Sequence, residues 1–261
     1  MSGKLVEPST AQITRFCSLA PVERVFLEDV ARRGHGRFAG IQQRGGELSA
    51  LCHLGTNIVP SGEGCGALAG VAARSGGRML IGEEGAVTAL WEAGRQRFPE
   101  PRDDRPGQPV YELTTPPAGG GTALRAATLG DLELLVPACA ASHEQELGVD
   151  PLTRDANGFR WRTRVQIEEG RSWLWVEDDV ILFKAEASAW TPGAVQLSQV
   201  WVDPQVRRQG FGRRGLADLI GLLLAQTPRV CLFVRADNAP AIALYKAIGM
   251  RHILHYRSLL F

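Results

Sequence analysis

The sequence predicts an α/β (α+β) protein of 261 residues in two parts. Three observations carry this reading. Helical and strand periodicities alternate along the chain. A strand over 196–202 runs into a basic, glycine-punctuated loop and then a helix. Composition shifts at Thr114-Thr115-Pro116-Pro117-Ala118-Gly119-Gly120-Gly121, a run of turn and breaker residues. Of the 30 glycines, 20 lie at or before Gly121, whereas five of six tryptophans lie after it. The chain therefore divides into a smaller α/β domain at 1–117, a linker at 118–121 and a block at 122–261.

The first part predicts a helix over 22–33. Strands over 36–42 and 48–59 flank the turn Arg44-Gly45-Gly46-Glu47. A glycine loop follows at 60–70, then a helical stretch, a short strand at 79–81 and a helix at 86–97. In the second part a strand begins at 122–125. Thr128 and Asp131 form a helix cap leading into Leu129, Leu132, Leu135 and Val136. A second helix is predicted over 157–169. Strands follow at 173–177 and 180–190, joined at Glu177-Asp178-Asp179. After the 196–202 strand, a helix from about Arg213 carries Leu216, Leu219, Ile220, Leu223 and Leu224 on one face. A strand at 230–235, a helix near 239–248 and a closing hairpin to Phe261 complete the series.

The loop Asp203-Pro204-Gln205-Val206-Arg207-Arg208-Gln209-Gly210-Phe211-Gly212-Arg213 is suited to phosphate. Pro204 ends the strand because it cannot donate to a ladder. Gly210 and Gly212 let backbone approach a ligand, and N–H groups at a helix start attract an anion. A Walker loop would need Gly-Lys-Ser/Thr, and Gly212 is followed by Arg213-Arg214-Gly215. The letters G-x-G-x-x-G fit Gly210 to Gly215, with Asp237 downstream, but dinucleotide glycines follow their strand at once. Too little chain remains after Gly215 for a doubly wound domain.

Arg207-x-x-Gly210-x-Gly212 after Val-Asp-Pro resembles the pyrophosphate loop of the GNAT family, the GCN5-related N-acetyltransferases, whose pattern is Q/R-x-x-G-x-G/A. Asn238-Ala239-Pro240 and Tyr245-Lys246-Ala247-Ile248-Gly249-Met250 extend the likeness, with Met250 in place of the usual Phe. The resemblance covers 122–261 and is similar to a subfamily with an N-terminal domain of unknown function. It implies a mixed twisted sheet flanked by helices. Acetyl-CoA would be the co-substrate and a primary amine the acceptor. It implies cofactor contacts at Val200, Trp201, Val202, Arg207, Arg208, Gln209, Gly210, Phe211, Gly212, Arg213 and Asn238. Tyr245 is the implied acid for the departing thiolate, and Glu186 the candidate base; Glu186 alternates with Lys184 and Ser188 and reads equally as an exposed strand face. Residues 1–117 read as a degenerate GNAT-like half or as an unrelated α/β domain, and their glycine loop lacks arginines. A CoA-binding sensor without turnover is the alternative function, and a dinucleotide oxidoreductase a weaker one.

Net charge is +1, which favours neither nucleic acid nor an anionic membrane as a partner. Five scattered cysteines without C-x-x-C suggest reduced thiols, and no apolar run approaches a membrane span. Both point to the cytoplasm. His252-x-x-His255 should point to opposite faces of a strand, so no metal is expected. His143, Glu144 and Glu146 read either as an acceptor wall or as a solvated helix end. Acceptor identity and oligomeric state are open.

Overall fold

The computed structural model describes residues 3–261. Its first half runs β1 (Lys4–Val6), α1 (Thr10–Ser18), α2 (Val25–Arg32), β2 (Phe38–Gln42), β3 (Leu48–Leu54), β4 (Asn57–Gly62), α3 (Ala69–Ala73), β5 (Met79–Glu83), α4 (Glu84–Gly94) and β6 (Asp103–Leu113). The second half runs β7 (Arg125–Ala126), α5 (Leu132–Leu147), α6 (Pro151–Glu168), β8 (Ser172–Glu177), β9 (Val180–Trp190), β10 (Val195–Trp201), α7 (Phe211–Leu224), β11 (Val230–Phe233), α8 (Ala239–Ala247) and β12 (Arg251–Leu260). The two orders are the same: strand, two helices, three strands, helix, strand, helix, strand.

Among the described residues all strands join one 12-stranded mixed sheet, ordered β1-β2-β3-β4-β5-β12-β6-β11-β10-β9-β8-β7. The order reads alike from both edges. β4 lies parallel to β5, and β10 parallel to β11, at matching places in the two halves. The last strands are exchanged. β6 of the first half lies between β11 and β12, and β12 lies between β5 and β6. The predicted closing hairpin is thus a single strand, paired on both sides with the other half.

Three further differences have local causes. α1 was not anticipated; only Ile13, Phe16 and Cys17 of its nine residues are buried, and a Ser9/Gln12 capping box starts it. The strand expected over 48–59 is two antiparallel strands, β3 and β4, turning at Gly55-Thr56. β6 contains Pro106, Gly107 and Pro109, which argue against a strand by sequence, yet the exchange places it centrally. Its pairing with β12 shifts register between His252 and Leu254 and between Tyr256 and Ser258.

In the second half α7 packs on β9 and β10, where Leu216, Leu219, Ile220 and Leu223 are buried against Phe183, Val195 and Leu197. A Cβ at Gly215 would come within 2.4 Å of the Phe183 ring, so this glycine serves helix–sheet contact. The 118–121 segment is tied down. Asp218 of α7 accepts from the backbone N–H groups of Gly120 and Thr122 and from the Thr122 hydroxyl. Arg214 donates to the carbonyls of Gly120 and Gly121.

Candidate functional site

Around Leu197–Trp201 the β10 strand leaves its ladder. Ser198 lies opposite Glu186 and Trp201 opposite Lys184, so β10 spends one residue more than β9 across this bulge. Gln199 there has φ 51°, a left-handed conformation that costs a non-glycine residue about 1 kcal/mol or more. Beyond the bulge, β10 and β11 separate, with only Val195↔Val230 and Gln196↔Cys231 in register. A recess of about 450 Å³ opens between them. Val200, Trp201, Phe233, Val234, Arg235 and Asn238 line one side of it, with Ser142, Gln145 and Glu146 of α5 on another.

Asn238 caps α8, its side chain accepting from Ala241 N–H at 3.2 Å. Gly210 sits at the N-cap of α7 with φ 87°, and the preceding Arg208 also has positive φ, at 64°. These two residues turn the chain into α7, whose first N–H groups have no capping side chain. Arg208, Gln209 and Arg213 are exposed around that turn, and among the described residues neither Arg208 nor Arg213 has an ion-pair partner. Arg207 is engaged within the protein: its Nε donates to Val202 O at 3.1 Å and its terminal nitrogen to Gln145 Oε1 at 3.1 Å. Phe211 anchors the turn edge-on to Trp175 at 5.2 Å. A Cβ at Gly212 would approach Val202 Cγ2 to 3.2 Å, so backbone there lies close to β10.

Tyr245 is 5 % exposed and packs 5.8 Å from Tyr111, a residue of the exchanged strand β6. Burial raises its pKa well above the usual phenol value, and the charge of Glu146 adds to this. The phenol therefore stays protonated at neutral pH. Glu146 is open at the surface of the recess, yet loss of solvation within it raises the carboxyl pKa, against the pull of Arg105 and Arg235. Arg235 itself is held by Asp237 through two hydrogen bonds of 2.9 and 2.6 Å. Of His143, Glu144 and Glu146, offered by sequence as an acceptor wall, only Glu146 lines the recess; Ser142 and Gln145, on the same helix face by their spacing, line it too. Phe233, Val234 and Arg235 had no such signal, because only the separation of β10 and β11 brings them to the recess.

Glu186 does not stand on an exposed strand face: it is 8 % exposed, and Lys184 beside it is fully buried. Lys184 Nζ lies 3.2 Å from Glu186 Oε1, 3.2 Å from Cys139 Sγ and 3.0 Å from Gln199 Oε1. Cys139 in turn donates to Glu186 Oε1 at 3.0 Å. Burial pushes the Cys139 thiol up to about 12, so it is not a nucleophile at neutral pH. The sequence expectation for the histidine pair also fails. The register shift between His252 and Leu254 turns His252 and His255 to one side, with ring centroids 4.4 Å apart. Two imidazoles alone do not make a metal site, and among the described residues no three His, Cys, Asp or Glu cluster for one.

In the first half β4 and β5 also pair at two positions, Asn57↔Met79 and Ile58↔Leu80, but beyond them a Cβ at Gly82 would stand 2.9 Å from Pro60 O, so these strands stay close. Arg24 Nε donates to the Ser61 hydroxyl at 2.8 Å, and that hydroxyl donates to Glu23 Oε1 at 2.6 Å. The 62–66 loop beyond carries glycines but no arginine or lysine. Among the described residues no helix is long and apolar enough to cross a membrane.

Comparison with known proteins agrees with this geometry. Residues 184–259 match the family described as FR47-like protein, and residues 36–135 match a domain of unknown function, DUF4081. A mycothiol acetyltransferase from Nocardioides sp. is 31% identical over 156 residues, covering 52% of this chain and 52% of its own length. The match thus spans about half of that curated relative. An acetyltransferase of the GNAT family from Colwellia psychrerythraea superposes with a TM-score of 0.61 at 12% identity, covering 99% of each chain. A tandem GNAT protein from the clavulanic acid biosynthesis pathway superposes with a TM-score of 0.56 at 13% identity, covering 98% of each. At these identities the superpositions establish the fold.

Proposed function

Because the chain has the GNAT fold along its length and carries an FR47-like domain of GNAT type at residues 184–259, we propose that it is an acetyl-CoA-dependent N-acetyltransferase acting on a primary amine. The observation that carries this reading is the link from the exposed α7 turn, with Arg208 and Arg213, through Arg207 to Gln145 in the wall of the recess opened by the β10 bulge. The turn suits the CoA diphosphate, because uncapped N–H groups at a helix start and guanidinium groups both favour anions. The pantetheine arm would lie along β10 beside Val200, Trp201 and Val202, reaching Asn238. The acetyl carbonyl then meets backbone N–H groups of the bulge, which stabilise negative charge developing on oxygen.

The amine nitrogen attacks the thioester carbonyl carbon. A C–N bond forms, the C–S bond breaks, and the electron pair leaves on sulfur. Tyr245, kept protonated by burial, supplies the proton to the thiolate and is restored by the second proton, which the new amide nitrogen gives up. The attacking ammonium must first lose a proton. Of the two carboxylates at hand, Glu186 is held by Lys184, whereas Glu146 lines the recess, and we assign the uptake to Glu146. The first half would act as a scaffold without a cofactor of its own, since its 62–66 loop has no arginine or lysine and Arg24, Ser61 and Glu23 bond to one another beside β4.

Calorimetry with acetyl-CoA, followed by turnover against small amines, peptide N-termini, lysine and a mycothiol-related amine, tests the reading. The last belongs there because the Nocardioides relative is a mycothiol acetyltransferase. The expected result is one equivalent of acetyl-CoA per chain and acetyl transfer to at least one amine. Two equivalents would mean a working site in the first half. Tight binding without transfer to any amine would favour a CoA sensor.

A further inference from the structure

Lys184 is the largest unexplained feature of the interior. Its ammonium is fully buried, and its three N–H bonds meet three acceptors: Glu186 Oε1, Cys139 Sγ and Gln199 Oε1. Such a network is a poor route to stability, because a buried ion pair replaced by apolar groups of similar volume is often no less stable. What it does achieve is geometric. Gln199 occupies a left-handed conformation at the centre of the β10 bulge, and its side chain is tethered from behind by Lys184. The next two residues, Val200 and Trp201, form the wall of the recess. On the other side Cys139 lies one turn before Ser142 on α5, the wall facing β10. The Trp201 indole nitrogen is buried at this wall without a hydrogen-bond partner, so the wall is held neither by nor through that group.

We propose that Lys184 is a positioning residue for acetyl transfer: acting through Gln199, it fixes the β10 bulge so that its backbone N–H groups point at the acetyl carbonyl. The proposal rests on the reading that acetyl-CoA lies along β10. Lys184 touches no reacting atom. Its buried network with Glu186 and Cys139 leaves the ammonium a single position from which to hold the Gln199 amide. Without that tether Gln199 relaxes toward an ordinary strand conformation, and the N–H groups that follow turn away.

The test uses the full chain and acetyl-CoA labelled with carbon-13 at the thioester carbonyl, read by difference infrared spectroscopy beside calorimetry. In the unmodified protein the bound carbonyl stretch should lie below that of free acetyl-CoA, because donated hydrogen bonds weaken the C=O bond. In Gln199→Met and Lys184→Met, affinity should change little while the stretch returns most of the way to the free value. Lys184→Met leaves Glu186 buried without its partner; if that variant does not fold, Gln199→Met, which keeps the ion pair, decides alone. A variant that loses only thermal stability and keeps the shifted stretch overturns the proposal. So does a bound carbonyl unshifted in the unmodified protein, while that outcome leaves the cofactor reading standing. Absence of acetyl-CoA binding in the unmodified protein overturns both.

Discussion

Arg171, which precedes β8 of the second half, grips Asp29 of α2 in the first half through two hydrogen bonds, of 3.0 and 2.7 Å. The Asp29 side chain is only 4% exposed and that of Arg171 12%. The geometry is the fork-to-carboxylate pairing that arginine alone provides. Together with the exchanged strands β6 and β12, it makes the halves mechanically one body.

Asp29→Ala should therefore cost about 1.5–3 kcal/mol, because it removes charged hydrogen bonds and leaves Arg171 with Glu169 alone, 3.4 Å away. Chemical denaturation should still show one transition, since the shared sheet leaves neither half a complete set of strands. Two separate transitions in the variant would contradict the interlocked reading.

The cofactor turn gives a graded expectation. Arg207 already bonds to Val202 and Gln145, whereas Arg208 and Arg213 are uncommitted. Arg208→Ala and Arg213→Ala should each weaken CoA binding roughly tenfold, the loss of one charged hydrogen bond. Titration calorimetry in constant salt reads this directly. Unchanged affinity in the Arg208→Ala/Arg213→Ala double variant would remove the diphosphate from this turn.

Tyr245→Phe keeps the contact with Tyr111 and deletes only the hydroxyl. Turnover should fall roughly 10²-fold with little change in acetyl-CoA affinity, as expected when a general acid is lost. Full activity would assign the thiolate's proton to water or to another group.

His53 provides a pH expectation. It is 7% exposed between Phe26 and Phe38, and its Nδ1–H donates to Asn57 O at 2.8 Å. Burial lowers its pKa below the ordinary imidazole value, against the opposing pull of the Asn57 carbonyl. A base with a depressed folded pKa favours the fold above the unfolded pKa, about 6.5, and loses that contribution as pH falls through the folded value. Stability measured by urea should fall as pH drops from about 6.5, and His53→Phe should show a shallower fall. Parallel slopes in the two proteins would exclude His53 as the source.

Much of this protein was legible in its sequence. Pro204, Gly210 and the leucines of α7 specify strand, turn and helix through local rules of backbone freedom and periodicity. The cap at Asn238 and the stop at Gly249 did the same for α8. A repeated order of elements was visible, because each half writes the same alternation of periods. Three matters were decided only by tertiary structure. The exchange of β6 and β12 is a pairing between residues far apart in sequence, and the prolines of β6 argued locally against any strand. The facing of His252 and His255 depended on a bulge, which reverses the period-two rule by one extra residue. The burial of Lys184 and Glu186 came from α5 lying over β9: alternation on a strand states which residues share a face, and only the packed neighbour decides whether that face meets water or Cys139.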